Sequence, residues 1–119
     1  ALRSPELLHR ASSRLLIIDV QEKLIAAFQA SSRERLIANC RFLVEGAKIL
    51  GVPVTATEQY PQGLGPTVAS LAELIAERPA KKRFSAAECL GWPTAAAATD
   101  DRFQIVVAGM ESHVCVLQT

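Results

Sequence analysis

The sequence has no excess of charge of either sign and no long apolar run. Thirteen Lys and Arg are balanced by twelve Asp and Glu, which leaves a net charge of +1. The basic residues form no stripe that could follow a phosphate backbone, so we expect no nucleic-acid partner. The longest apolar stretches, at 15–18 and 105–108, are far too short to span a bilayer, so we expect no membrane partner.

Histidine and cysteine are scarce as well. The histidines are His9 and His113, far apart in the chain, and the cysteines are Cys40, Cys89 and Cys115. Three cysteines without metal-type pairing argue against a disulfide framework, and we expect neither a metal nor another cofactor. The first twenty residues hold several charges and no signal-peptide apolar segment, so we expect the protein in a reducing cytoplasm.

The remaining composition is that of a globular protein with one core. Half of the residues are apolar and 21% are charged. We find no internal repeat and no domain boundary, so residues 1–119 are interpreted as a single domain. The chain begins with Ala1 and stops four residues after Cys115, and both ends look cut. We therefore expect that a C-terminal helix and further strands of the domain are missing.

Strands and helices alternate along the chain. Unbroken apolar runs predict buried parallel strands over 14–20 and 103–109, and a third strand is expected over 52–57. A helical period predicts a helix from Ser32 with Gly51 as its stop. Its core stripe consists of Leu36, Ile37, Cys40, Leu43, Val44, Ala47 and Leu50. The other expected elements are a helical turn at 4–9, a short helix at 21–30, a loop at 58–66, a helix at 67–77, an extended piece at 81–84, a mostly helical region at 85–101 and a helix capped by Ser112.

This order predicts an α/β domain, a three-layer αβα sandwich with a mainly parallel, Rossmann-like sheet that is truncated after the motif around Cys115. In open parallel sheets, ligands bind beyond the carboxyl ends of the strands. That rule singles out Asp19, the loop Glu58-Gln59-Tyr60 and the turn from Gly109 onwards, with two lysines on the extended piece between them. Asp, Lys and Cys side chains are therefore expected at one edge of the sheet.

Cys115 is the candidate nucleophile. A thiol in the first turn of a helix is close to unpaired N–H groups and to the positive end of the helix dipole, which favour the thiolate. A nearby lysine adds to this effect, and a buried aspartate could take the proton. Alternatives stay open, since Cys115 could be a small buried apolar residue, Asp19 a helix cap and Lys81 part of a solvated surface.

Other candidates are weaker. His113 lies two residues from Cys115 and does not face it on a helix, so it is interpreted as a neighbour and not as the base. Cys40 belongs to the core stripe and is interpreted as structural. Cys89 has nothing nearby that would activate it, and Trp92 is interpreted as packing.

Three segments resemble the isochorismatase-like cysteine hydrolase superfamily in their order and spacing. They are Leu16-Ile17-Ile18-Asp19-Val20-Gln21, Lys81-Lys82-Arg83-Phe84-Ser85-Ala86 and Gly109-Met110-Glu111-Ser112-His113-Val114-Cys115-Val116. The stretch Thr57-Glu58-Gln59-Tyr60-Pro61-Gln62-Gly63-Leu64-Gly65 is similar to a subgroup labelled only as isochorismatase-domain proteins.

The resemblance implies a catalytic triad. Asp19 would be the base, Lys81 would hold the charge balance, and Cys115 would be a nucleophile that forms an acyl-enzyme. Lys81 matches rather than Lys82, because the family lysine precedes the aromatic residue, here Phe84, by three. Strand alternation supports a single choice, since adjacent side chains point to opposite faces.

The resemblance also implies a cis peptide at Met110–Glu111, which would aim the backbone N–H groups of Glu111 and Cys115 at an oxyanion. Gln21 and Tyr60 are the expected substrate-binding residues. The nicotinamidase branch binds a metal through an Asp-x-His motif and a further His, but this chain reads Glu58-Gln59-Tyr60 there. Neither that metal nor that activity is expected.

The sequence therefore predicts a cysteine-dependent hydrolase of a small amide-like C–N bond, and isochorismate itself, a vinyl ether, is less favoured. Two alternatives stay open: a catalytically silent binding or assembly subunit of the same fold, and a thiol redox sensor. The expected partners are a small-molecule substrate and further copies of the chain in a homo-oligomer.

Overall fold

The structure is a computed structural model that describes residues 7–81, 102 and 104–110. After a 3-10 turn at Arg10–Ser12, the strands are β1 (Ser13–Ile18), β2 (Val54–Gln59), β3 (Ala80–Lys81) and β4 (Gln104–Gly109). The helices are α1 (Glu22–Ile25), α2 (Ala30–Leu50), α3 (Pro61–Leu64) and α4 (Ala69–Ala72). The turn expected at 4–9 lies partly outside the described residues, and the helical region at 85–101 and the helix capped by Ser112 lie wholly outside them.

The four strands form one parallel sheet in the order β3-β2-β1-β4. The apolar run of β1 places it inside the sheet, where Ile17 is aligned with Ala56 on one side and Ala108 on the other. Both faces of β1 are shielded, since Ile17 on one face and Ile18 on the other are each 0% exposed. The predicted α/β class with a mainly parallel sheet is confirmed.

Helix α2 packs its apolar stripe on the face of the sheet that carries Leu15 and Ile17. Cys40, Val44 and Ala47 are buried there, spaced so that they lie on one side of the helix. The helix ends at Gly51, as predicted. Two residues expected on the stripe are exceptions, because they lie at its margin: Leu43 is 38% exposed and Leu50 is 52% exposed.

Residues 67–77 differ from the predicted helix. Only the single turn α4 forms, although Leu71 and Ile75 are both buried as expected. Beyond this turn, the Arg78 guanidinium donates to the carbonyl oxygens of Ala72 and Ile75. The Arg78 side chain thus helps to satisfy carbonyl groups at the end of this turn, where a longer helix would supply backbone donors.

Other boundaries shift by a few residues. Strand β2 continues to Gln59, two residues beyond the prediction, and the helical turn α3 lies within the expected loop. The short helix expected at 21–30 is limited to α1, and residue 30 already begins α2.

Strand β4 is less buried than its apolar sequence predicts. It pairs with β1 on one side, and in the described sheet it is at the edge. Ile105 and Val107 are 45% and 42% exposed. One face of β4 is therefore left partly uncovered in the described part of the chain.

Candidate active site

The carboxyl ends of the strands bring the candidate residues to one edge of the sheet. Asp19 follows β1, Gln59 ends β2, Lys81 ends β3 and Met110 follows β4. The carboxyl ends of parallel strands lie at the same edge of the sheet, because each crossover returns the chain to the opposite edge before the next strand begins.

Asp19 is completely buried and held at three points. Its backbone N–H donates to the Thr57 carbonyl oxygen at 3.2 Å, and its Oδ1 accepts from Thr57 Oγ1 at 2.8 Å. Its Oδ2 accepts from Lys81 Nζ at 2.8 Å. The backbone φ of Asp19 is 55°, in the left-handed region that non-glycine residues seldom adopt and that recurs at functional sites.

Lys81 forms the cationic half of this ion pair. In β3 the side chain of Ala80 is exposed whereas that of Lys81 is 3% exposed, as alternation along a strand requires. The Lys81 Nζ also donates to Gln59 Oε1 at 2.8 Å. The structure thus brings Asp19 and Lys81 together, and Lys82 lies outside the described residues.

Burial of this ion pair carries a cost in free energy. Removing two charges from water is costly, and the cost is offset only when each charge keeps its partner and its hydrogen bonds. Thr57 and Gln59 provide those extra bonds, one to each member of the pair. Such a pair is a poor source of net stability, so it is a feature to explain by function.

Gln21 and Tyr60 occupy different surroundings. Gln21 is 0% exposed and its amide bonds to backbone groups of Gln59 and Gly65. Tyr60 is 50% exposed at the same edge, and its N–H donates to the Lys81 carbonyl oxygen at 2.7 Å. The Tyr60 ring lies over Gly63, where any side chain would collide with it. The substrate-binding roles of Gln21 and Tyr60 stay predictions.

The loop after β2 is fixed by Glu58. Its Oε2 accepts from the Thr67 N–H at 2.7 Å and from Thr67 Oγ1 at 2.9 Å. The Arg78 guanidinium is 3.8 Å from the same oxygen. Glu58, which stands where the nicotinamidase branch has a metal motif, therefore anchors the loop that carries Tyr60.

The segment that leads toward Cys115 leaves the sheet beside Asp19. Gly109 runs so close to Ile18 that a Cβ would collide with its backbone, and Gly109 also has a φ of 139°. The next N–H, that of Met110, donates to the Ile18 carbonyl oxygen at 3.0 Å. Glu111, Cys115 and the peptide that joins Met110 to Glu111 lie outside the described residues, so their predicted roles stay predictions.

Cys40 is 2% exposed in the core against β1, and burial raises the pKa of its thiol. Cys40 thus stays protonated and inert at neutral pH. Cys89 lies outside the described residues.

Within residues 7–81, 102 and 104–110, no group of three His, Cys, Asp or Glu side chains is arranged to hold a metal ion. No helix in this part of the chain has the length and apolar character needed to cross a membrane.

Sequence reasoning missed Thr57, and it placed Gln59 in a loop at the site without its contact to Lys81. Both are polar residues of β2 whose side chains are buried, two residues apart on the face that carries Asp19 and Lys81. The available signal is their period of two within a strand that follows the strand of the candidate base.

Comparisons with known proteins agree with this architecture. Human isochorismatase domain-containing protein 2 is 36% identical over 114 residues, which cover 91% of this chain and 51% of the human protein. A Caenorhabditis elegans structure described as MAR1 ribonuclease has a TM-score of 0.76 and 36% identity, covering 94% of this chain and 57% of that one. The chain spans about half the length of the curated relatives it matches.

A more distant structure shows the same fold. Escherichia coli YcaC, described as an octameric hydrolase of unknown specificity, has a TM-score of 0.66 at 19% identity, covering 96% of this chain and 57% of that one. The isochorismatase domain family model matches residues 13–119, which include β1, the Asp19–Lys81 pair and the segment through Cys115. On this match and on relatives at 36% identity, the chain belongs to the isochorismatase domain family.

Proposed function

We propose that the protein hydrolyses a small amide-like C–N bond through Cys115, with Asp19 and Lys81 as its catalytic partners. The observation that carries the proposal is the buried Asp19–Lys81 ion pair, 2.8 Å between Nζ and Oδ2, at the edge of the sheet. The N–H of Met110, five residues before Cys115, bonds to the residue that precedes Asp19. A cysteine in that segment would have a base and a cation within reach.

The proposed reaction runs in two halves. The Asp19 carboxylate takes the thiol proton of Cys115, and the thiolate adds to the amide carbonyl carbon. The C–N bond breaks as the nitrogen takes that proton from Asp19, which leaves an acyl thioester. Asp19 then deprotonates a water that attacks the thioester, so that the carboxylic acid leaves and the thiolate regains a proton.

The hydrogen bonds on Asp19 are compatible with this role. Each carboxylate oxygen has two lone pairs, so the bonds from Thr57 and Lys81 leave capacity for a proton. Lys81 would keep the site close to neutral as the negative charge moves between Asp19 and the thiolate. The N–H groups of Glu111 and Cys115 would receive the oxyanion, a contribution of about 3–4 kcal/mol per donor in comparable sites.

Tyr60 is the proposed contact to the substrate. It is half exposed, its N–H bonds to the Lys81 backbone, and its left-handed conformation, with a φ of 37° and a ψ of 65°, turns the loop at the end of β2. An aromatic ring there would suit a small, partly apolar substrate.

The experiment is acyl-enzyme trapping with a panel of amides and ureides. A hydrolysed substrate should add one acyl group per chain at Cys115, detected by intact-protein and peptide mass spectrometry. The Cys115→Ala variant should give neither adduct nor turnover, and Cys40→Ala, which alters only the buried thiol, should keep both. Activity should be unchanged by a chelator, since no metal is expected.

The same panel distinguishes the alternatives. Thiol reactivity without any acyl adduct would favour the redox sensor, and an unreactive Cys115 would favour the silent subunit. Single-stranded RNA is included because the Caenorhabditis elegans relative is described as a ribonuclease. Cleavage of RNA that requires Cys115 would redirect the proposal to a different substrate class.

We further propose that the protein is cytoplasmic, is one domain over residues 1–119 and forms a homo-oligomer. The described strands share one sheet and one core, which supports a single domain. Phe42 and Ile49, seven residues apart on one side of α2, are 78% and 84% exposed. Apolar side chains this exposed are typical of surfaces that bury against another chain.

A further inference from the structure

The buried amide of Gln21 forms three hydrogen bonds to backbone groups. Its Oε1 accepts from the Gln59 N–H at 2.6 Å, and its Nε2 donates to the Gln59 carbonyl oxygen at 2.9 Å. The Nε2 also donates to the Gly65 carbonyl oxygen at 2.7 Å. A side-chain amide that bonds both the N–H and the C=O of one residue replaces a neighbouring strand at that residue.

The contact between the Gln21 amide and the Gln59 backbone extends the sheet beyond the last backbone pairs of β1 and β2. Gln59 is the last residue of β2, and β3 contributes only two residues beside it. The Gln59 backbone is thus fixed by Gln21 on one side and by the short β3 on the other. Because Gln59 and Gln21 are each at most 8% exposed, water does not compete effectively for these bonds.

Fixing the Gln59 backbone has a consequence for the ion pair. The Gln59 side chain starts from that backbone and its Oε1 accepts from Lys81 Nζ, which donates in turn to Asp19. Asp19 stands two residues before Gln21, and the Gln21 N–H donates to the Asp19 carbonyl oxygen at 2.9 Å. The four residues therefore form a closed ring of contacts around the candidate site.

We propose that Gln21 is a positioning residue, which clamps the Gln59 backbone so that the Gln59 amide holds Lys81 against Asp19. The inference rests on the proposed function and assigns Gln21 a role different from substrate binding. A substrate contact would need a free, accessible polar group, whereas Gln21 is 0% exposed and both ends of its amide are bonded to the backbone.

The first test measures backbone hydrogen exchange by NMR in the full chain. Gln21→Met keeps the length of the side chain but removes the amide. Exchange of the Gln59 N–H should therefore accelerate about tenfold, the factor expected when one hydrogen bond is lost. The Ala56 N–H, which donates to the Glu77 carbonyl oxygen, is the internal reference and should keep its rate. Gln62→Met, an exposed glutamine in α3, is the matched control.

The second test separates the clamp from its effect on Lys81. Gln59→Met removes the side-chain contact to Lys81 and keeps the Gln59 backbone that Gln21 holds, so the Gln59 N–H should stay protected. Turnover of the substrate found by acyl trapping should fall about ten- to hundredfold in kcat in either variant, with KM little changed. The double variant should fall no further than one single variant, because both act through the same contact.

Each outcome bears on a separate claim. Unchanged Gln59 exchange in Gln21→Met, or a raised KM with an unchanged kcat, would overturn the positioning role. If the wild-type chain hydrolyses nothing in the panel, the proposed function fails, and the clamp is then judged by the exchange result alone. Additive losses in the double variant would show that Gln21 and Gln59 act independently.

Discussion

At the scale of residues, the site depends on polar side chains that are buried and fully bonded. Among the described residues, no buried side-chain nitrogen or oxygen lacks a hydrogen-bond partner. Asp19 is the centre of this arrangement, with Thr57 on one oxygen and Lys81 on the other. An unpaired buried carboxylate would be costly, so each neighbour both stabilises Asp19 and restricts where it points.

The cysteines give the residue-scale prediction. Cys115 should react with iodoacetamide near neutral pH well before Cys40 or Cys89, because Lys81 and the expected helix terminus favour its thiolate. Burial raises the pKa of the Cys40 thiol and shields it from the reagent, and labelling of Cys89 before Cys115 would contradict the choice of nucleophile. The contribution of the buried, protonated Cys40 thiol to the free energy of unfolding is fully present below the pKa of the unfolded state. It is lost as the pH rises through the raised pKa of the folded state. Peptide mapping after timed labelling measures each site separately.

The Lys81→Ala variant should slow the labelling of Cys115, whereas Lys82→Ala should leave it nearly unchanged. Removing Lys81 leaves Asp19 buried without its cationic partner, and in comparable pairs this lowers the free energy of unfolding by about 3–5 kcal/mol. Cys40 serves as an unfolding reporter, since it becomes reactive only if the core opens. Equal effects of the two lysine variants on a chain whose Cys40 stays protected would contradict the choice of Lys81.

At the scale of elements, the close packing of β4 against β1 determines where β4 ends relative to Asp19. Strand β4 ends at Gly109, directly against the Ile18 backbone, and the next N–H, that of Met110, donates to the carbonyl oxygen of Ile18, the residue before Asp19. This approach requires a residue without a side chain and with a positive φ, both of which exclude other residues. The close approach of the end of β4 to β1 therefore depends on one glycine.

Two glycine substitutions test the close approach of β4 to β1 at Gly109. Gly109→Ala should lower the free energy of unfolding by about 3 kcal/mol or more, because a collision adds to the strained φ. Gly46→Ala should raise it by about 0.5–1 kcal/mol, because Gly46 is inside α2 with nothing within 4 Å of a new Cβ. Urea unfolding measures both. Equal stabilities of the two variants would show that the approach of β4 to β1 is wrong.

At the scale of the whole molecule, apolar side chains remain exposed on α2 and β4. Phe42 and Ile49 protrude from the helix, and Ile105 and Val107 lie on the strand at the edge of the described sheet. Unpaired strand edges and contiguous apolar surfaces favour association. The arrangement supports self-association of the chain.

Sedimentation equilibrium should therefore detect oligomers at micromolar concentration. The double variant Phe42→Ser/Ile49→Ser should shift the population toward monomer, because each serine removes most of the apolar area of its site. Lys48→Ser, an exposed polar change on the same helix, should leave the distribution unchanged. A wild-type chain that sediments as a monomer throughout would contradict the proposed homo-oligomer.

The sequence by itself determined the features that follow from local pattern. The apolar run of β1 predicted a buried parallel strand, and the helical period predicted α2 with its stop at Gly51. Strand alternation allowed only one of the two lysines at the site, the family resemblance selected Lys81, and Lys81 is found against Asp19. These patterns succeed because burial of one face imposes a period of two or 3.6 on neighbouring residues, and burial of both faces of a strand requires an unbroken apolar run.

Only the tertiary structure decided which polar groups meet. The bonds from Gln21 to Gln59 and from Thr57 to Asp19 each join residues 38 positions apart, and the bond from Lys81 to Asp19 joins residues 62 apart. No local period encodes such pairs, since they depend on strand order and register. The exposed face of β4 and the short α4 have the same origin: the sequence specifies apolar character, but the neighbours available in space decide what is covered.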